Sequence, residues 1–345
     1  GMEDKSAMLV VQTDSGSYTL PAAEIDIDGV LRQFGKNVTL SDIAVTVNVS
    51  KPSDKMAQIV ENAAEVGGFT VMVPAVDYTI ICSYGGQTVN VSSFHTYVER
   101  TIAIPNGIDP AKITTGVVVR PDGTTYHVPT RVVLIDGKYY AVINSLTNST
   151  YSVIWNPKAF SDVTNHWAKD SINNMGSRMV VSGTGHNHYE PDRHMTRGEF
   201  ASIIVKALGL EPGSGETGFH DVSNSDWYCG YIETASSYGI INGFENGNFR
   251  PNGTITREQA MTMLARAMKL TGLESGATVN DIGSLNSAYA DEGSISDYAR
   301  QSVVSCLSTG IVNGRGRNTI DPKGCVTRGE VAVMAERLLK ISGMI

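Results

Sequence analysis

The sequence predicts a multidomain molecule: a mainly β, sandwich-like domain over residues 1–158, then an all-α, pseudo-threefold module of helix–loop–helix repeats around a three-helix core. Three observations predict it. Strand-like alternation fills the first part, where Ile43, Val45, Val47 and Val49 are separated by polar neighbours. In the second part a set of landmark residues recurs three times at fixed offsets. Each recurrence leads into a Thr-x-x-Glu/Gln sequence followed by an apolar stripe, which is the pattern of a helix start.

In the first part, Tyr78–Ser83 and Gln87–Val91 flank Gly85-Gly86, and Asp122-Gly123 and Asp136-Gly137 lie between further strand-like runs, so all three read as hairpins. One helix is expected near Ser53 to Val66. Asp26-Ile27-Asp28-Gly29 has the flavour of a calcium loop, but it lacks the third oxygen ligand and the terminal Glu, so a strand-edge turn is expected there. His95 and His127 sit in no nucleophile motif, and no catalytic set emerges. A spacer or presentation domain is the reading of residues 1–158.

The repeat is best seen by taking Trp167, Trp227 and Tyr298 as origins. A glycine follows 16 residues on (Gly183, Gly243, Gly314), a proline 24 on (Pro191, Pro251, Pro322) and an arginine 30 on (Arg197, Arg257, Arg328). An aromatic residue and an aspartate precede each origin: Phe160 and Asp162, Phe219 and Asp221, Tyr289 and Asp291. The units are placed at 159–217, 218–287 and 288–345, with Glu211–Gly215 and Gly272–Ser287 as loops. Gly239 and Gly310 supply the left-handed residue that ends the first helix of their units. Met179 holds that place in the first unit, so its helix must end differently or accept strain of about 1 kcal/mol or more. Thr196 with Glu199, Thr256 with Gln259 and Thr327 with Glu330 cap the second helices. Two short helices cannot bury an apolar stripe alone, so the three units are expected to share one core.

Capping explains Thr and Glu but not Arg197, Arg257 and Arg328, because the first turn of a helix already carries partial positive charge. Two readings stand side by side: a guanidinium joining the exposed N–H groups of a helix start around an anion, or an arginine paired with an acid such as Asp192 or Asp221. The turns Val181-Ser182-Gly183, Ile241-Asn242-Gly243 and Val312-Asn313-Gly314 set a small polar residue beside a permissive glycine. Ser182, Asn242 and Asn313 could there meet sugar hydroxyls, with Trp167, Trp227 or Tyr298 as an aromatic face. Core packing is the expectation for the two tryptophans, since each opens an amphipathic helix.

Composition limits the function. With 41% hydrophobic and 18% charged residues the chain has enough apolar matter for cores. The formal charge is −8, divided as −4 on each side of Lys158, which gives no field to gather nucleic acid. Cys82, Cys229, Cys306 and Cys325 form no C-x-x-C pair and lack histidines at ligand spacing, so neither a metal site nor a cofactor is expected. Whether Cys306 and Cys325 pair is left open, with buried free thiols the blander reading. No apolar run approaches the roughly 20 residues of a membrane span. Gly1 ahead of Met2 reads as a cloning remnant, so a missing leader says nothing against secretion.

The array from about Phe160 onward resembles tandem S-layer homology domains, whose signature includes an aromatic-x-Asp start, a helix opening on Trp-Ala, a V/I-x-G turn and an I-T-R-A-E motif. The matching residues are His166-Trp167-Ala168, the three glycine turns, and Met195-Thr196-Arg197-Gly198-Glu199, Ile255-Thr256-Arg257-Glu258-Gln259 and Val326-Thr327-Arg328-Gly329-Glu330. The resemblance implies a module that anchors extracellular proteins of Gram-positive and related bacteria to a secondary cell-wall polysaccharide, often one with anionic, pyruvylated sugars. That implication favours the anion reading for Arg197, Arg257 and Arg328. It also makes Ser182, Gly183, Asn242, Gly243, Asn313, Gly314, Trp167, Trp227 and Tyr298 candidate contacts. Thr184–His188 departs from the loop written Gly243-Phe244 in the second unit, and Tyr298 and Arg315 replace a tryptophan and a loop aromatic, so at most two grooves are expected to be intact.

The expectation is therefore a binding module at the cell wall or surface layer, and not an enzyme. Two other readings remain: a wall-acting hydrolase with its catalytic part in the first half, and a lattice protein whose first half self-associates.

Overall fold

A computed structural model describes residues 7–35, 38–278, 289–316 and 318–345. The start at Gly1-Met2, the end of the Gly272–Ser287 loop and the junction at 287/288 lie outside them. The described residues divide into two compact units, Gly1–Pro157 with Met344–Ile345, and Lys158–Gly343.

The first unit is mainly β, with two antiparallel sheets. One has the order β1 (Met8–Thr13), β2 (Gly16–Pro21), β6 (Ser93–Ala103), β10 (Lys138–Thr147), β9 (Thr130–Ile135). The other runs β3 (Ala44–Ser50), β4 (Thr70–Tyr84), β11 (Thr150–Trp155), β7 (Thr115–Val119), β8 (Thr125–Val128), with β5 (Gln87–Asn90) also paired to β4. The three hairpins form where their glycines allow positive φ: Tyr84 pairs Gln87 across Gly85-Gly86, and Ile135 pairs Lys138 across Asp136-Gly137. Val119 pairs Thr125 around Asp122-Gly123. The expected helix is present as α2 (Asp54–Gly67), capped by Ser53 and closed by Gly68 at φ 65°. Asp26 is not a strand-edge turn. It caps a helix, α1 (Ile27–Phe34), by accepting a hydrogen bond from the Gly29 N–H at 2.9 Å, a short side chain at an N-cap satisfying an orphan donor.

One core spans both sheets, and a cation stands inside it. Arg100 on β6 is fully buried among the rings of Tyr18, Phe94, Tyr78 and Tyr151, at 4.9 to 5.8 Å from their centroids. Its guanidinium donates to the carbonyls of Val98 (2.8 Å) and Thr147 (2.6 Å) and to Asn148 Oδ1 (2.9 Å). Carbonyl dipoles and π faces thus solvate a charge that has no carboxylate partner among the described residues.

The second unit is helical, but the all-α expectation is corrected. Each repeat has a first helix, α3 (Lys169–Ser177), α5 (Cys229–Ser237) or α7 (Arg300–Ser308), and a second, α4 (Arg197–Ala207), α6 (Arg257–Leu270) or α8 (Arg328–Ile341). The units are closed on one another by extended backbone ahead of the second helices. Met195 N–H donates to Val326 O (2.9 Å), Val326 N–H to Ile255 O (3.1 Å) and Ile255 N–H to Met195 O (3.0 Å), a ring of three bonds. Bridges His194 to Thr327, Thr196 to Thr254 and Thr256 to Cys325 flank it. The physical reason is that three short repeats must satisfy the backbone entering their second helices, and neighbouring chains supply the partners.

Candidate functional site

Two devices shape each turn. The aspartate of the aromatic-x-Asp start accepts from two successive N–H groups: Asp162 from Tyr189 and Glu190, Asp221 from Phe249 and Arg250, Asp291 from Ile320 and Asp321, all at 2.7 to 3.0 Å. It thereby holds Glu190, Arg250 and Asp321 at φ 58°, 59° and 53°, a conformation L side chains rarely adopt. The aromatic two residues earlier packs on the turn glycine. A Cβ on Gly183, Gly243 or Gly314 would stand 2.9, 2.5 or 2.6 Å from Phe160, Phe219 or Tyr289. Close packing therefore accounts for these three glycines.

The helix starts are not open to an anion. The N–H groups of Arg197 and Gly198 donate to Gly253 O and Pro251 O, those of Arg257 and Glu258 to Gly324 O and Pro322 O, and those of Arg328 and Gly329 to Arg193 O and Pro191 O. The next N–H in each helix goes to the capping threonine, and all three capping boxes are complete. The donors that sequence reasoning assigned to a ligand are thus spent on joining the units.

The arginine side chains continue the same cyclic order and are almost buried, at 7%, 2% and 6% exposure for Arg197, Arg257 and Arg328. Each donates Nε to one carbonyl of the next unit: Phe249 (2.8 Å), Ile320 (2.7 Å) and Tyr189 (2.7 Å). Beyond that bond they differ. Arg257 is paired with Glu330 at 3.0 Å and donates to Asn313 O at 2.8 Å. Arg328 faces Glu199 at 3.6 Å and donates to Ser182 O at 2.6 Å. Arg197 meets a neutral amide, Gln259 Oε1 at 3.3 Å, with Phe244 and Phe249 rings 4.8 and 4.6 Å from its guanidinium carbon. Burial draws Arg197 down to about 10, still charged at neutral pH. The acids named as alternative partners act elsewhere: Asp221 holds backbone, and Asp192 lies 3.3 Å from His166.

Among the described residues, Arg197 and Arg257 each line a groove drawn from all three units. Arg197 of the first unit, Asn242, Gly243 and Phe244 of the second, and Tyr298 of the third line a cavity of about 840 Å³, with Arg250, Arg266, Glu245 and Glu258 around it. Arg257, Asn313, Gly314, Arg315, Glu330, Arg337 and Trp167 line the corresponding cavity of about 230 Å³. Ser182 joins Arg328 on the third side; Trp227 lines neither cavity. Core packing is corrected for both tryptophans: Trp167 and Trp227 are 66% and 61% exposed, and Tyr298 is 58% exposed. Both tryptophans lie in a turn ahead of the helix, which begins only at Lys169 and Cys229, so the helical stripe that suggested burial starts after them.

Sequence reasoning missed a second cation. Lys206, Arg266 and Arg337 each lie 39 residues after their origin, and that recurrence on the second helix is the signal that could have found them. With the asparagine amides turned oxygen-inward, Asn242 accepts from Arg266 at 3.2 Å and Asn313 from Arg337 at 3.1 Å. Glu258 is also committed: Lys323 lies 2.7 Å away, and Ser296 and Tyr298 donate to it. Burial would raise its pKa, but these hydrogen bonds outweigh burial and hold it below the ordinary glutamate value.

Among the described residues no group of three or more His, Cys, Asp or Glu could hold a metal, and no helix is long and apolar enough to cross a membrane. The chain is 32% identical to an amylopullulanase of Thermoanaerobacterium thermosulfurigenes over 98% of its own length and 16% of the relative's. It is 36% identical to exoglucanase XynX of Acetivibrio thermocellus over 57% of its length and 18% of the relative's. A surface layer protein of Brevibacillus choshinensis is 33% identical over 37% of the chain and 12% of the relative. The chain thus spans less than a fifth of each. Two of these relatives are named as glycoside hydrolases, which overturns the expectation that this protein is not an enzyme, although they give no catalytic activity to this chain itself. The S-layer homology domain model matches residues 159–201, 218–261 and 288–332. The C-terminal part of the chain, residues 159–332, therefore carries three S-layer homology domains.

Proposed function

We propose that the three-unit part fastens its protein non-covalently to the outside of the bacterial cell wall by holding a wall polysaccharide, and that the grip is on an anionic, pyruvylated sugar in the groove around Arg197. The protein is then an extracellular, wall-attached one, and what it holds in place is, by the names of the relatives, a polysaccharide-degrading enzyme or a surface layer. The observation carrying the reading is the meeting of Arg197, Arg250 and Arg266 at one cavity of about 840 Å³, within the size range of small-ligand sites. Phe244 and Tyr298 add aromatic faces beside those charges, a pairing suited to a sugar ring that bears a carboxylate.

The test is sedimentation with protein-stripped walls from a bacterium whose surface layer is held by such domains. Arg250→Gln/Arg266→Gln removes two cations that do not join one unit to another: Arg250 packs on Phe244, and Arg266 donates to Ile240 O at 3.5 Å, both within the second unit. Charge-assisted hydrogen bonds are worth about 1.5–3 kcal/mol each, so Kd should rise at least about tenfold, and added salt should weaken wild-type retention. Retention indifferent to both would reject the anionic-sugar reading.

A further inference from the structure

The two described grooves are built alike but differ at several equivalent positions, Arg250 against Asp321 among them, and two of these differences are linked. Where the second unit has Phe244 and Gln259, the third has Arg315 and Glu330. Arg315 donates Nε and Nη2 to Glu330 at 2.8 and 2.6 Å, Nη1 to Asp321 at 2.5 Å, and Nη2 to Cys325 O at 2.7 Å. Glu330 also takes Arg257 at 3.0 Å. Its carboxylate thus stands between two guanidinium groups, where an incoming anion would have to stand to meet Arg257. In the first groove the corresponding amide of Gln259 leaves that place uncharged, and Phe244 stacks on Arg197 and Arg250 without consuming either.

We infer that Glu330, locked by Arg315, is a built-in occupant of the anion seat between the second and third units, so that the array binds one anionic glycan and not several. The inference rests on the proposed function. The space there is divided: about 230 Å³ touches Arg257, and a further cavity of about 490 Å³ is lined by Arg315, Glu330 and Trp167 but not by Arg257, whereas about 840 Å³ around Arg197 is one cavity. Arg328 has a carboxylate of its own, since Glu199 faces it at 3.6 Å while held by Arg193 at 2.5 Å. The lock is stable for an electrostatic reason. A carboxylate held between two fixed cations has already exchanged water for charge-assisted hydrogen bonds, and an external anion gains little by displacing it.

The experiment is titration calorimetry on the full chain with a methyl glycoside carrying a pyruvate ketal. Wild type should bind one molecule per chain. Arg315→Phe/Glu330→Gln, which copies the second unit at these two positions and keeps a capping residue that the fold accepts as Gln259, should bind two. Phe244→Arg/Gln259→Glu should weaken the single site at least tenfold. Two or three sites in the wild type, or one site in the Arg315→Phe/Glu330→Gln variant, would overturn the inference. Should that variant not fold, Glu330→Gln alone carries the test, and a second, weaker site is then required. Wild type that neither binds the glycoside nor sediments with walls removes the proposed function itself, an outcome separate from an unchanged count of one.

Discussion

Met179 gives the clearest residue-scale account. Its φ of 63° places it where Gly239 and Gly310 sit in the other units, at 66° and 78°. A Cβ in that conformation costs about 1 kcal/mol or more, and the chain accepts the strain because Val180 N–H and Val181 N–H still close the helix on Met175 O. Met179→Gly should therefore stabilise the helical unit by about 1 kcal/mol, a rise of roughly 2–4 °C in Tm for a unit of this size. A lowered Tm in a calorimetric scan would show that the Met179 side chain contributes more than its backbone costs. Position +12 from the origin was readable from sequence because turn chemistry is local. The tryptophans were misread for the opposite reason: whether an aromatic at a helix start turns inward depends on what packs across it.

At the element scale, the starts of α4, α6 and α8 do three jobs at once: capping, joining units and placing an arginine. Sequence made the first legible through the Thr-x-x-Glu/Gln spacing, and left the second invisible, since backbone bonds between units far apart in the sequence carry no side-chain signature. Glu199, Glu258 and Glu330 tie these starts together. Burial would raise all three, yet hydrogen bonds from Arg193, from Lys323 and Ser296, and from Arg315 outweigh it and hold each below the ordinary value of 4.5. A carboxyl with a depressed folded-state pKa contributes stability that is complete above its unfolded value and is lost as pH falls through the folded one. The helical unit should accordingly keep its Tm from pH 7 down to about pH 5 and lose it progressively at lower pH. A flat Tm from pH 7 to about pH 3 would mean these ion pairs contribute nothing.

For the whole molecule, the sequence carried the repeat, its landmarks and the β character of the first part, because these rest on period and turn residues. It did not carry the cyclic exchange by which each groove takes an arginine, a turn and an aromatic from three different units, nor Arg100 standing among aromatic rings between two sheets. Both are tertiary facts, and grouping candidates by unit concealed them. The account comes down to one asymmetry: three arginines occupy equivalent places, and only Arg197 faces an amide where the others face carboxylates. A crystal structure of the chain soaked with the pyruvate-ketal glycoside tests this most directly. The ligand carboxylate should lie within hydrogen-bond distance of the Arg197 guanidinium, with Phe244 or Tyr298 against the sugar ring and the other two positions empty. A carboxylate found beside Arg257 or Arg328, with the groove around Arg197 vacant, would contradict it.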